Sequence, residues 1–571
     1  MRYLALCCDY DGTLAHHGQV SDETFAALER LIESGRKLLL VTGRDLDDLQ
    51  RVCPRLDLFD YVVAENGALL YVPATREEKA LGTRPPERFV ETLRQRAVQP
   101  LAVGRVIVAT WEPNETTVLE TIRDLGLELQ VIFNKGAVMV LPAGVNKATG
   151  LAAALEALGL SPHNAVGVGD AENDHAFLSL CECAVAVSNA LPMLKEKADF
   201  VTSGDHGTGV SELIEELLRD DLAGRGAQLE RHRIVLGRDE QDRDVHVQPY
   251  GANLLLVGTS GSGKSSLATG LLERLAESKR TFCVIDPEGD YEALQDAVSV
   301  GTPDRPPSVD ELMQLLAKPH ENCVANLIGL PIADRPSFFA SLLPRLRDLR
   351  TRTGRPHWLV LDEAHHLLPS PRETSETVLQ AWPNGVLQIT VHPSLIRPEA
   401  LDQVDTVIAV GATPAAMLQE FSETVGGNPP EVEQQTQLEP GEALVWFRKQ
   451  AARPIRVQIA PSRTERRRHT RKYAEGELGP DRSFFFRGPG DRLNLRAQNL
   501  FLFMQIADGV DDDTWRHHLR SRDYSRWMRE AIKDPGLADD VAQVEERDDM
   551  PPLESRRRVR QAIEERYTLP A

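Results

Sequence analysis

Two aspartates, Asp9 and Asp11, sit one residue apart in "DYDGTLA", directly after the apolar run "YLALCC" of residues 3 to 8. A short continuous apolar run is the pattern of a parallel strand buried on both faces, and Asp11-Gly12-Thr13 is a turn that ends it. Both carboxylates are therefore expected at a strand's carboxyl end, where open α/β sheets gather their ligands. "KLLLVTGR" (37 to 44) ends a second strand in Thr42-Gly43-Arg44, and "NAVGVGDAEND" (164 to 174) ends a third in Gly169-Asp170. Lys147 opens "NKATGLAAALEALG", whose Ala and Leu spacing predicts a helix with one buried face.

Hydrolysis of a phosphate ester needs a nucleophile, a proton donor for the leaving oxygen, and positive charge on the equatorial oxygens. Asp9 can attack phosphorus and form an aspartyl-phosphate, and Asp11 can reach the leaving oxygen as general acid. Two neighbouring anions repel such a substrate unless a cation intervenes. Mg²⁺, a hard ion suited to carboxylate oxygen, is expected to bridge Asp9, Asp170 and the backbone carbonyl of Asp11, while Thr42 and Lys147 steady the phosphoryl oxygens. Taken singly, D-x-D reads as a solvated turn and G-D-x-x-N-D as a capped helix start. Together, in order and each after an apolar strand, they read as a site.

"DYDGTLA", "VTGR", the lysine of "GVNKATGL" and "GVGDAENDHAFL" resemble the four ordered motifs of the haloacid dehalogenase (HAD) phosphatases. The motifs most resemble those of the Cof/IIB-like subclass, whose cap lies between the second and third motifs; "AENGALLY" and "GTGVSELIEELL" are similar to further family features. The resemblance implies a Rossmann-like core over 1–75 and 146–222 and a small α+β cap over 76–145. It implies Asp9 as nucleophile, Asp11 as acid/base, Thr42 and Lys147 as phosphate ligands, and a metal set of Asp9, Asp11, Asp170 and Asp174, with Asn173 in support. A compact cap implies a small phosphorylated substrate of the sugar phosphate or phosphoglycolate class.

A second phosphate-handling pattern follows the linker-like "AGRGAQLERHR". "NLLLVGTSGSGKSSLATGLLERL" runs strand, glycine loop, helix and fits G-x-x-x-x-G-K-[ST]. The amides around Gly258, Gly261 and Gly263 can approach phosphate, Lys264 can reach the β- and γ-phosphates of ATP, and Ser265 beside Ser266 can ligate Mg²⁺. "HWLVLDEAHH" then carries Asp362 and Glu363 to a strand end, the first to hold the metal through water and the second to activate attacking water. With "TFCVIDPEGDY" between them, the stretch 230–460 resembles the HerA/FtsK-type P-loop ATPases, which are commonly ring-forming DNA translocases. At the family's strand-end sensor this chain has "ITVHPS", and His392 reads as a loop histidine. Arg345, Arg347, Arg350, Arg352 and Arg355 read either as a source of a trans-acting arginine or as a solvated helix face. "DEAHH" resembles a helicase box without the accompanying motifs, so helicase activity is not expected.

The 571 residues exceed one hydrophobic core and predict three or four domains. A net charge of −21 argues against general affinity for nucleic acid or anionic membrane. Seven scattered cysteines without C-x-x-C spacing read as buried thiols of a reducing cytosol, and no apolar run approaches membrane-spanning length, so a cytoplasmic location is expected. Within 448–473 positive charge is concentrated; 461–480 reads as a basic linker pairing with the protein's own acidic surface, with contact to nucleic acid as the less favoured alternative. Residues 481–571 show helical spacing, with Trp515, Leu519, Tyr524 and Trp527 as a small core. The expectation is a multidomain α/β protein: a Mg²⁺-dependent phosphatase fused to an ATP-binding and ATP-hydrolysing domain, the latter regulating the former or driving homo-oligomeric assembly. Two rival classes stay open: a DNA-translocating ATPase with an accessory nucleotide phosphatase, and a nucleotide-sensing scaffold.

Overall fold

The computed structural model describes residues 1–134, 136–226, 228–229, 232–292, 294–370, 382–432, 437–448, 453–463, 478, 482–532, 534–547 and 550–567. Most of the expected basic linker lies outside them.

The apolar runs at the N-terminus form the middle of an eight-stranded sheet. Its order is Phe200–Val201, Cys183–Ala186, Ala165–Gly169, Ala5–Cys8, Lys37–Val41, Tyr61–Ala64, Leu69–Val72 and Glu77–Ala80, with the first six parallel. Ala5–Cys8 is buried throughout because it has neighbours on both edges and helices over the sheet, which is why it reads as continuously apolar. Cys8 lies opposite both Leu40 and Val168, so the strand ends carrying Asp9, Thr42 and Asp170 finish at nearly one level. The antiparallel strand Glu77–Ala80 still belongs to this sheet, which therefore runs five residues past the expected boundary at 75. Beyond it, the cap is a four-stranded antiparallel sheet with the helices Glu87–Gln95 and Glu115–Asp124, packed on its own core of Phe89, Leu93, Val118 and Val140.

The P-loop strand Asn253–Val257 lies in an eleven-stranded sheet, seven of whose strands are parallel. The strand Val386–Thr390 sits between it and Trp358–Leu361, so the strands that carry the P-loop and Asp362 are not neighbours. Ile234–Asp239, Asp244–Val247, Glu442–Phe447 and Ile455–Ile459 extend one edge antiparallel. The last unit holds five helices between Leu500 and Tyr567, and Trp515, Leu519, Tyr524 and Trp527 are buried in its core as expected. "FFF" at 484–486, expected at helical spacing, is instead a strand paired with Leu495–Ala497.

The unit built on the eight-stranded sheet and the unit built on the eleven-stranded sheet meet at the amino ends of their strands. Glu182, which precedes the strand Cys183–Ala186, receives both Arg280 Nη2 contacts (2.7 and 2.8 Å) and Arg2 Nη2 (2.6 Å), and His163 spans it and the carbonyl oxygen of Ser278. Arg355 donates to the carbonyls of Gly159 and Lys318. The carboxyl ends of the parallel strands, which Asp9, Asp170 and Asp362 follow, therefore face away from this junction. All seven cysteines are buried free thiols, and among the described residues no helix is long and apolar enough to cross a membrane.

Candidate active sites

Asp9 leaves its strand buried, 4% exposed, and its Oδ1 accepts a 2.6 Å bond from Lys147 Nζ. The same ammonium donates to Asp174 Oδ1 at 2.6 Å, while Asp174 Oδ2 accepts the amides of Asp170 and Ala171. Asp174 thus shapes the loop that presents Asp170. The turn after Asp9 requires Gly12: at φ +89° a Cβ there would lie 2.3 Å from Asp170 Oδ2. Lys147 is held in place through Gly67, where a Cβ would meet the carbonyl oxygen of Asn146 at 1.9 Å, so the Asn146-capped helix Lys147–Ala157 seats directly on the 65–67 turn. Thr42 is buried beside it, its Oγ1 accepting the Arg44 amide.

Asp9, Asp170 and Asp174 bring carboxylate oxygens within 4.8 Å of one another, all buried, against one ammonium. Burial, and then the Asp174 and Asp170 charges, push the Asp9 carboxyl up to about 8, with Lys147 opposing. Burial alone would lower the Lys147 ammonium; Asp174 and Asp9 more than reverse that and leave it raised. A cluster of hard oxygen donors with this excess of negative charge fits a divalent cation such as Mg²⁺. The Asp11 side chain stands outside that cluster: both its oxygens accept from Arg44, at 2.6 Å each. His163, Glu182 and His232 also bring ligand atoms together at the domain junction, but there two guanidinium groups already neutralise Glu182.

Three residues not singled out from the sequence complete this site. Arg44 engages Asp11 and Asp48 and lies over the Tyr10 ring. Glu65, fully buried, accepts the amides of Arg105, Val106 and Ile107 and so pins the cap to the core. Asn66, at φ 57°, is bonded by Asn173 and reaches Met139 of the cap. "AENGALLY" and the arginine of "VTGR" were the available signals.

In the second unit the loop after Val257 turns through Gly261 and Gly263, both at positive φ, into the helix Lys264–Glu277, with Ser265 and Ser266 in its first turn. Lys264 Nζ donates to the carbonyls of Gly258 and Thr259 at 2.8 and 2.9 Å. Asp362 is buried at its strand end, and its carboxyl is raised well above the usual range by burial and then by Asp286, Glu363, Asp290 and Glu288. Glu363 is held at φ 39°, a conformation that costs a non-glycine residue energy and often marks a functional turn. Asp286 folds "DPEGDY" around itself by accepting the amides of Glu288, Gly289 and Tyr291. His392 is exposed at 57% near Glu420. Arg350 and Arg355 are bound to backbone carbonyls of their own chain, and Arg345 pairs with Asp310.

A family model described as haloacid dehalogenase-like hydrolase matches residues 6–105 and 117–214, and one described as the central domain of helicase HerA matches 250–402. A phosphoglycolate phosphatase of Methanothermobacter thermautotrophicus is 30% identical over 223 residues, covering 38% of this chain and 98% of its own length. That of Haloarcula marismortui is 31% identical over 217 residues, covering 37% and 95%. A solved haloacid dehalogenase-like hydrolase from Bacteroides thetaiotaomicron aligns at 19% identity over 38% of this chain and 99% of its own, with a TM-score of 0.34.

Proposed function

The chain belongs, through its first 220 residues, to the haloacid dehalogenase-like hydrolases and carries a HerA-type domain behind them; from that premise we propose that it hydrolyses a small phosphomonoester, of the phosphoglycolate or sugar phosphate class, by way of an aspartyl-phosphate on Asp9. The observation that supports this reading best is the buried Asp9 carboxylate at a strand end, 2.6 Å from Lys147, in a cluster of three carboxylates served by one ammonium.

Asp9 attacks phosphorus, a bond forms between its carboxylate oxygen and phosphorus, and the ester P–O bond breaks. Asp11 gives a proton to the departing oxygen. Water then attacks the phosphoryl group while Asp11 takes its proton, and phosphate leaves with Asp9 restored. Thr42 Oγ1 and Lys147 Nζ hold the phosphoryl oxygens, and Lys147 keeps Asp9 oriented. Asp9 and Asp170, with the Asp11 carbonyl, would hold Mg²⁺, which supplies positive charge against the anionic phosphoryl group. Asp174 supports Asp170, and the cap excludes bulk water.

The second domain binds MgATP in this reading. Lys264 would contact the β- and γ-phosphates, Ser265 and Asp362 would hold the metal, whose charge offsets the phosphates, and Glu363 would orient the attacking water. Assay of 2-phosphoglycolate and 4-nitrophenyl phosphate with the full chain, wild type against Asp9→Asn, tests the phosphatase reading. The expected result is a loss of about a thousandfold or more, as for removal of a nucleophile, and a phosphorylated wild-type peptide spanning residue 9. Equal rates in the two proteins would overturn it.

A further inference from the structure

The leaving-group side of the first site contains an ion pair that the reaction must break. Arg44 Nε and Nη2 donate to the two oxygens of Asp11 at 2.6 Å each, a two-point fork. Both Asp11 oxygens are therefore acceptors, and in this arrangement neither presents a proton to a leaving group. The remaining guanidinium nitrogen, Nη1, is held by Asp48, and the Tyr10 ring lies beneath the guanidinium at 5.6 Å. The pair is open to solvent, with Arg44 25% and Asp11 43% exposed. Its two members lie two residues beyond Thr42 and Asp9, respectively, which hold and attack the phosphoryl group in the reading above.

We propose that Arg44 is a specificity residue for a carboxylate carried on the leaving group, which takes the Arg44 fork in place of the Asp11 carboxyl group; the proposal rests on the phosphatase reading. A carboxylate one carbon from the ester oxygen has the same charge and planar two-oxygen shape as the Asp11 group it displaces, and the guanidinium fork matches both. Asp48 keeps the guanidinium in place during the exchange. A neutral ester has nothing to offer Arg44 and reacts only from the fraction of molecules in which the pair has opened, which lowers its apparent efficiency. The chain is thereby tuned to short phosphorylated hydroxy acids over neutral sugar phosphates, by a core arginine as well as by the cap.

The test compares kcat/KM for 2-phosphoglycolate and for 2-hydroxyethyl phosphate, which replaces the carboxylate by a neutral hydroxymethyl group. Wild type, Arg44→Gln and Arg44→Lys are assayed as full chains with thermal unfolding as a fold control. The wild type is expected to prefer 2-phosphoglycolate. In Arg44→Gln the preference ratio is expected to fall roughly 10- to 100-fold, the span of a charged hydrogen bond. Arg44→Lys, which keeps the charge without the fork, is expected to lie between them. A ratio unchanged within threefold in both folded variants, or a wild type without preference, would overturn the role of Arg44 and leave the phosphatase reading standing. A wild type that cleaves neither ester, with Asp9→Asn indistinguishable from it, would overturn both.

Discussion

Asp9→Asn is expected to stabilise the metal-free protein while abolishing turnover. The Asp9 carboxyl, raised by burial and by Asp174 and Asp170 to about 8, is forced to be anionic in the unfolded chain well below that pH. Each unit of displacement corresponds to about 1.4 kcal/mol. With an unfolded value of about 3.9, the penalty at pH 7 is about three units, or about 4 kcal/mol as an upper bound. Asparagine keeps the shape and still accepts from Lys147, so a gain of about 2–4 kcal/mol is expected. The pH dependence has a definite sign. Because the folded state binds the proton more tightly, the wild type loses stability from this group as pH rises from about 4 to about 8, and the loss levels off above that. The variant lacks that slope, so its advantage grows over the same interval. Hydrogen exchange of the peptide containing Ala5–Cys8, measured in chelator at pH 5, 6, 7 and 8, reports the core selectively; Mg²⁺ should narrow the gap by stabilising the wild type. Equal protection at pH 8 in chelator, or an advantage that shrinks with rising pH, would refute the electrostatic reasoning.

Gly12→Ala places a Cβ 2.3 Å from Asp170 Oδ2 in a left-handed turn, so phosphatase kcat/KM should fall about a hundredfold and Mg²⁺-dependent stabilisation should weaken. Glu182→Gln leaves the buried Arg280 and the nearby Arg2 without their carboxylate and should cost about 3–5 kcal/mol by urea unfolding. Burial would raise the Glu182 carboxyl, but His163, Arg280 and Arg2 hold it well below the usual range. Its wild-type contribution is thus present above about pH 4.3 and lost as pH falls through the folded value. Lys264→Ala should weaken ATP binding about a hundredfold by titration, as expected for a charged phosphate contact, and any effect of ATP on phosphatase kinetics should vanish with it.

Much of the first candidate site was legible because its parts are local. A buried parallel strand must be continuously apolar, and a turn must follow it, so "YLALCC" with "DYDG" and "AVGVG" with "DAEND" place Asp9 and Asp170 at strand ends without reference to partners. The P-loop is legible for the same reason, since strand, glycine turn and helix are adjacent in the chain. The cap boundary was displaced because Glu77–Ala80 is exposed and polar, with no apolar pattern to reveal that it pairs with the core sheet.

Sequence alone brought out the side chains expected to carry the chemistry and their order along the chain; tertiary structure decided what each of them touches. Arg44 and Asp11 are 33 residues apart, Glu65 and Arg105 are 40 apart, and Glu182 and Arg280 are 98 apart. Such pairings arise from strand order, register and domain docking, which depend on packing summed over the whole chain. The placement of Val386–Thr390 between the P-loop strand and the strand that carries Asp362 and the meeting of both units at their amino-terminal edges have the same origin. Local pattern fixes the ends of strands, and the free energy of burying their faces against one another selects their neighbours.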